Sequence, residues 1–494
     1  MYYFIGNNLG QTLTGIEKAQ LNRLKLFRAN GLEAMCVYTA FNPGLYANAK
    51  KFKVSDGVMS IYDYFQKAID FQGDYFDWIK HWEDAGYTLK YVQNTRDVRV
   101  YDQGDYTIYA HFSDVSFKKI SYINYFDHRG RKFKREIFDS RGFLSVRKYL
   151  TMKQKVLFEH ILNTDGEIVI EKYYDPEADK QTLTRILLNF NGEVKYLKDN
   201  SDLLTIFTNA VYSKGDIFFS DKNNVTAKGL ANSRPEIPLA AVLHSTHLKY
   251  EKRAELANIK NTYRDLFDYL DRFDCLITST VQQKEDVSKL IDNKIPVYNI
   301  PVGFIGGDDT LDKHPASDVP RLISVARYAV EKQLDHQIRL VKRLNEKFPN
   351  VELHMFGAGA EHAKLKSLID ENNLGDNVFL RGFVPDLQNE FQQSHINLLT
   401  SRMEGFSLAL LEAASYGVPS VSYDIEYGPA EIIKNNENGY LIPLDDEDVL
   451  YEKVEALLSD ASLLVKFREN VIEDRKRFSE SETLSKWQAV LASL

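Results

Sequence analysis

The stretch Thr400-Ser-Arg-Met-Glu-Gly-Phe-Ser-Leu-Ala-Leu-Leu-Glu-Ala-Ala-Ser-Tyr-Gly417 decides the fold. An apolar run before it, Ile396 to Leu399, reads as a strand. Gly405 permits a turn, and Leu408, Leu411 and Glu412 then recur at helical spacing. A helix that begins directly after a strand aims its unpaired N–H groups and positive dipole end at the crevice beyond the strand's C-terminal edge. An anion is expected there. Glu404 precedes the helix, and Glu412 lies about two turns along it. Carboxylates accept hydrogen bonds from hydroxyls rather than bind phosphate. A helix start for phosphate, with two acids for hydroxyls, describes a nucleotide-sugar site.

The C-terminal half repeats the strand-loop-helix rhythm around that stretch. Strand Leu322 to Ala326 runs into Arg327-Tyr-Ala-Val-Glu-Lys332 and a helix at 334–347. Strand Val351 to Phe356 meets Gly357-Ala-Gly359 and a helix from Glu361. Strand Val378 to Leu380 meets Arg381-Gly-Phe-Val384, and strand Pro419 to Tyr423 leads to Asp424-Ile-Glu-Tyr-Gly-Pro429. Helices near 446–459, 461–475 and 480–493 close the chain. Arg327 and Lys332 stand just past a strand end, so both are expected at the crevice that receives Glu404 and Gly405. Two cations and a helix N-terminus can hold a diphosphate, each charge-assisted hydrogen bond contributing roughly 1.5–3 kcal/mol. The same cations would neutralise a departing nucleoside diphosphate without a metal.

Upstream, Asp216 to Ser220, Leu239 to Leu243, Cys275 to Ser279 and Val297 to Ile300 read as strands, with helices at 257–271 and 281–292. His244-Ser-Thr-His247 leaves the second of these strands. Two histidines three apart at a strand exit suit hydrogen bonding or proton handling. No third ligand stands nearby, so zinc is not expected. Pro301 to Pro320 reads as a polar link, and its Asp308-Asp309 pair as solvated.

The chain opens with a strand at Tyr2 to Gly6, a polar loop at Asn7 to Gly15, a helix at Ile16 to Arg28 and a strand at Glu33 to Thr39. That is the start of a doubly wound sheet, with Thr14-Gly15 at the helix start. From about Tyr87 to Leu197 the pattern changes to strands joined by hairpin turns at Asp127-His-Arg-Gly130, Asp139-Ser-Arg-Gly142, Asn163-Thr-Asp-Gly166 and Asn189-Phe-Asn-Gly192. This β-meander is too long for a crossover loop and is expected to carry its own task. Residues 118–155 hold twelve Lys/Arg against three acids, in a chain of net charge −8. The tract reads either as a solvated sheet face or as a dock for an acidic polymer. Tyr122, Tyr125, Phe133 and Phe138 read as sheet core.

The 494 residues exceed one core, so two or three domains are expected. The negative net charge argues against bulk nucleic-acid binding. No basic-plus-apolar leader opens the chain, and no run approaches the roughly 18 apolar residues of a spanning helix. A cytoplasmic enzyme is expected, with peripheral contact at the inner membrane face allowed. Cys36 and Cys275 sit in apolar runs and read as buried, reduced thiols.

Glu404 and Glu412, with seven residues between them, match the E-x7-E motif. With Arg327 and Lys332 they make both α/β halves resemble the family-four retaining GT-B glycosyltransferases. The resemblance implies an α/β fold of two Rossmann-like domains facing a cleft, with the β-meander inserted in the N-terminal one. The expected divisions are 1–86 and 201–305 for the N-terminal domain, 87–200 for the insert and 306–475 for the nucleotide-sugar domain. A helix at 476–494 is expected to pack back toward the N-terminal domain. It implies that Arg327 and Lys332 bind the diphosphate and Glu404 the sugar hydroxyls. Gly405, Phe406, Ser407 and Leu408 would support sugar and phosphate, and Glu412 the ribose. Gly382, Phe383 and Val384 would meet the base, and Thr14 and Gly15 the phosphates. One of His244 and His247 would stand near the reacting centre.

The runs Asn7-Asn-Leu-Gly10, Leu243-His-Ser-Thr-His247, Met403-Glu-Gly-Phe-Ser-Leu-Ala-Leu-Leu-Glu412 and Tyr423-Asp-Ile-Glu-Tyr-Gly-Pro429 look most like one bacterial subgroup. Its members add N-acetylglucosamine to serine–aspartate-repeat adhesins, and are related to the accessory-secretion adhesin and wall-teichoic-acid glycosyltransferases. The resemblance implies UDP-N-acetylglucosamine as donor substrate, no cofactor and no metal. It also implies an acidic serine–aspartate-repeat acceptor held through 118–155, and a homo-oligomer. A teichoic-acid acceptor is the alternative, and a non-catalytic acceptor-binding partner subunit is the reading from another class.

Overall fold

The computed structural model describes residues 1–249, 258–306, 317 and 319–494. Its contacts divide the chain into two units, Met1–Leu239 with Asp265–Arg272, and Ala240–Arg264 with Phe273–Leu494. The Asp308-Asp309 pair lies outside the described residues.

In the first unit, strand Tyr2–Gly6 runs parallel between Ala34–Tyr38 and Ile217–Ser220, and Val58–Ser60 extends the row beyond Ala34–Tyr38. Phe4, Ile5, Cys36, Val37, Phe218 and Phe219 are all buried. Such unbroken apolar runs are what a parallel sheet covered on both faces requires. Helix Gly15–Ala29 returns the chain, and the backbone N–H of Thr14 donates to the Glu17 carboxylate at 2.7 Å, closing the helix start. Buried Arg23 pairs with buried Asp221, and its guanidinium lies 3.9 Å from the Phe4 ring centre.

The insert is a ten-stranded antiparallel sheet, from Thr88–Tyr91 to Glu193–Leu197, in which each strand pairs with the next in chain order. All four expected turns fall at hairpins, and Gly130, Gly142, Gly166 and Gly192 take φ of 70°, 108°, 84° and 77°. The side chains of Asp127, Asp139 and Asn163 accept from the backbone N–H two residues on, which shapes the turns. Trp82, from helix Trp78–Asp84, packs on Val98, Val100, Ala110, Phe112, Ile123 and Phe138. Tyr122 and Tyr125 are only partly buried, and Phe133, near the start of its strand, is 45% exposed. Of the four aromatic residues read as core, only Phe138 is fully so.

The second unit holds two parallel sets. Leu239–Val242, Cys275–Thr278 and Val297–Asn299 lie side by side. Six more strands run in the order Val378–Gly382, Glu352–Phe356, Arg321–Val325, Ile396–Leu399, Ser420–Tyr423 and Gly439–Ile442. Numbered along the chain, that order is 3-2-1-4-5-6. Its winding direction therefore reverses between Arg321–Val325 and Ile396–Leu399, where connections depart to opposite faces and leave a crevice at the strands' C-terminal ends. Helix Leu334–Leu344 buries Leu334, Ile338 and Val341 against this sheet, beside Leu322, Leu353 and Leu398. The helix expected at 257–271 is shorter: Asn261–Asp268, then one 3₁₀ turn at Leu270–Arg272.

Candidate functional site

The loops leaving the two strands at the reversal meet. After Arg321–Val325 the chain passes through a 3₁₀ turn, Val330–Lys332, and enters its helix from Gln333 in the left-handed conformation. After Ile396–Leu399 it runs through Thr400 to Ser407 into helix Leu408–Ser415. The Lys332 ammonium donates to Glu404 Oε1 at 2.6 Å, and both side chains are 15% exposed. Ser401 Oγ donates to the same oxygen at 2.8 Å. Thr400, fully buried, places its hydroxyl 3.0 Å from the carbonyls of both Lys332 and Gln333, and accepts from Gln337 Nε2 at 2.9 Å. Thr400 thus fixes the backbone that carries the Lys332 ammonium.

The turn itself is crowded. A Cβ on Gly405 would lie 2.4 Å from the His244 carbonyl oxygen, so any larger residue must displace one of the two loops. The Tyr427 N–H donates to the Glu404 carbonyl at 3.3 Å. Ser407, at φ 70°, caps the helix in the left-handed region, and its buried hydroxyl has no hydrogen-bond partner among the described residues.

The other expected residues make contacts of their own. The Arg327 side chain is 73% exposed, and its guanidinium pairs with Glu331 at 2.6 Å rather than with Glu404. Glu412 is partly buried on helix Leu408–Ser415, while Phe406 is buried and Leu408 packs beside it. Gly382 takes φ 73° and accepts from the Gly357 N–H at 2.8 Å. Phe383 is 63% exposed, and Val384 packs with Ile323 and Phe356. Thr14 and Gly15 open helix Gly15–Ala29 in the first unit, with no atom within 4 Å of a Cβ built on Gly15.

The two histidines separate. His244 is partly exposed, and its carbonyl abuts Gly405. His247 is wholly buried, its ring 5.9 Å from that of Tyr427 and inclined by 14°, and neither ring nitrogen has a hydrogen-bond partner among the described residues. Burial pushes its pKa down to about 4, so the imidazole is neutral. Both cysteines are buried and free. Among the described residues no three His, Cys, Asp or Glu side chains gather as a metal set. Sequence reasoning missed Thr400, Ser401, Gln337 and Tyr427 as supports of this turn. Only the contacts between distant loops reveal them.

Residues 309–474, which contain Arg327, Lys332, Glu404 and Glu412, match the family model described as glycosyl transferases group 1. The poly(glycerol-phosphate) alpha-glucosyltransferase of Bacillus subtilis (strain 168) is 25% identical over 520 residues, covering 99% of this chain and 74% of its own. The GtfA subunit of the UDP-N-acetylglucosamine–peptide N-acetylglucosaminyltransferase of Streptococcus pneumoniae serotype 4 is 24% identical over 516 residues, covering 98% of each. A mutant of S. aureus TarM, crystallised with fondaparinux, alpha-GlcNAc-glycerol and UDP, superposes with a TM-score of 0.81 at 20% identity over 99% of both chains.

The fold is GT-B. Within it, the pair Lys332–Glu404 stands at the strand-order reversal of the six-stranded sheet.

The basic tract of the insert is less naked than its composition. Six of its twelve cations have carboxylate partners among the described residues: Arg131 with Asp127, Lys134 and Arg147 with Glu136, Arg141 with Asp63 and Asp139, Lys148 with Glu159, and Lys153 with Glu177. Three of those acids, Asp63, Glu159 and Glu177, come from outside the tract. Neighbours along the strand also diverge. Lys134 lies over Tyr125, whereas Arg135 binds Asn124 Oδ1 and lies over Tyr122, so the two point to opposite faces of the sheet.

Proposed function

We propose that this chain is a retaining family-four glycosyltransferase. It moves N-acetylglucosamine from UDP-N-acetylglucosamine to serine hydroxyls of an acidic serine–aspartate-repeat protein. The observation that carries the reading is the Lys332–Glu404 pair in front of helix Leu408–Ser415, where the strand order reverses. In this reading Lys332 and Arg327 hold the diphosphate with the N–H groups of Gly405 to Leu408. Glu404 accepts from the sugar hydroxyls and Glu412 from the ribose, while exposed Phe383 offers a face to the base beside Gly382 and Val384. Glu404 already accepts two hydrogen bonds through one oxygen, so its second oxygen is available to a sugar hydroxyl.

The anomeric carbon breaks its bond to the β-phosphate oxygen and forms one to the serine oxygen on the same face. The serine proton passes to the departing phosphate. Lys332 and Arg327 offset the charge gathering there, a role that needs no metal. Of the two histidines, His244 is assigned to the reacting centre, because it is partly exposed beside Gly405 while His247 is enclosed and neutral.

Two features bear on the acceptor. The pneumococcal relative acts on a peptide by name and is called a subunit, which supports a protein acceptor and an assembled state; the state proposed for this chain, on the resemblance alone, is a homo-oligomer. The Bacillus relative, similar along nearly the whole chain, acts on poly(glycerol-phosphate) by name, which favours a polyol-phosphate polymer as the second reading. A cationic insert suits either. No helix among the described residues is long and apolar enough to cross a membrane, and the proposed site of action is the cytoplasm. Purified protein should be incubated with labelled UDP-sugars and, separately, a serine–aspartate-repeat peptide or a polyol-phosphate chain. Label from UDP-N-acetylglucosamine in the peptide alone supports the first reading, and label in the polymer alone replaces it with the second.

A further inference from the structure

Lys260 is a cation that the reading above leaves without a task. It is only partly exposed, and its backbone N–H donates to the His247 carbonyl at 2.8 Å. Its ammonium lies 2.8 Å from Met403 Sδ, the residue immediately before Glu404. That thioether is its sole hydrogen-bonding partner among the described residues. An ammonium carries three donors, and a thioether is a weak acceptor. A partly buried ammonium so poorly matched is costly until an anion joins it. No carboxylate among the described residues pairs with it. The neighbourhood adds a second unmatched group, His247, buried with both ring nitrogens unpaired among the described residues. Burial also lowers the pKa of Lys260, as expected for an ammonium awaiting a counter-ion.

We propose that the Lys260 ammonium is the counter-ion of an oxyanion on the ligand at the Glu404 turn, either a phosphate of the donor or an acidic group of the acceptor. The inference rests on the glycosyltransferase reading and adds a third cation to its site, joined through its backbone to His247.

The test uses Lys260→Met, which keeps the apolar stem and removes the charge, and Lys260→Arg, which keeps the charge. Three quantities are measured: UDP affinity by calorimetry, the KM of a serine–aspartate-repeat peptide with UDP-N-acetylglucosamine, and the melting temperature without ligand. Lys260→Met is expected to melt no lower than the unaltered protein, and to lose about tenfold or more in one ligand term. A loss in UDP affinity assigns the donor phosphate, and a rise in acceptor KM at unchanged UDP affinity assigns the acceptor. Lys260→Arg should stay within about threefold of the unaltered protein. The proposal is overturned if Lys260→Met keeps both ligand terms within twofold, or if both variants lose stability and affinity alike, which marks a packing role. If the unaltered protein itself neither binds UDP nor transfers sugar, the underlying reading fails, a result separable from failure at Lys260 alone.

Discussion

Lys332 and Glu404, 72 residues apart, meet at 2.6 Å with both side chains largely out of water. In the proposed reaction that ammonium turns partly toward phosphate while the carboxylate turns toward sugar. Lys332→Ala should lower kcat/KM about 100-fold or more, the loss of one or two charge-assisted hydrogen bonds, and cost about 1–3 kcal/mol of stability by leaving Glu404 poorly paired. Glu404→Gln should remove transfer comparably at a smaller stability cost, since an amide still accepts from Lys332 and Ser401. Retained turnover in both variants, measured with labelled donor, would sink the assignment. At the same turn, Gly405→Ala sets a methyl 2.4 Å from the His244 carbonyl oxygen. It should cost about 1–3 kcal/mol in denaturant unfolding, and an unchanged midpoint would show that the two loops yield easily. The residue types of this site were legible because a strand, a glycine turn and a helix with acids eight apart stand in one run. Lys260 beside Met403, 143 positions distant, was not, because no local pattern records a contact between loops.

The turns of the insert were readable because Asp or Asn followed by Gly three residues on supplies both an Asx hydrogen bond and a left-handed position. The partners of its charges were not readable, for a reason of scale. A linear count cannot see that Asp63, Glu159 and Glu177 return to pair with Arg141, Lys148 and Lys153, nor that pleating sends Lys134 and Arg135 to opposite faces. If the Arg135 face docks the acceptor, Arg135→Glu should raise acceptor KM several-fold at low salt, fade at high salt, and leave UDP affinity alone. Lys134→Glu, on the face where Glu136 already sits, should do less. Equal acceptor kinetics for Arg135→Glu at low salt would end the docking role. In the six-stranded sheet five strands were plain from hydrophobic runs, while the short edge strand Gly439–Ile442 was not read. The 3-2-1-4-5-6 order was not, because adjacency depends on which face each helix covers. That order is what brings the loops after the first and fourth strands together.

Across the molecule, burial holds several imidazoles neutral. His247 and His395 titrate near pH 4, and His354 and His160 are shifted in the same direction, each chiefly by burial. Their folded pKa values lie below the roughly 6.5 of an unfolded histidine, so below that pH the unfolded chain binds more protons. The stabilisation is therefore complete above about pH 6.5 and is lost as pH falls toward 4. For His247 and His395 it amounts to at most about 3 kcal/mol each. Denaturant midpoints should fall steeply between pH 6.5 and 4, and less steeply in His247→Phe, which keeps a ring against Tyr427 and removes the titrating group. A flat profile over that range would contradict the burial of these rings.

The most direct test of the central claim is a calorimetric titration of UDP into the unaltered chain and into Lys332→Ala, at one salt concentration. Saturable binding by the unaltered chain, weakened about 100-fold in the variant, is the result expected of a diphosphate held where the two loops cross. Equal affinity in both proteins would place the nucleotide elsewhere and contradict the account.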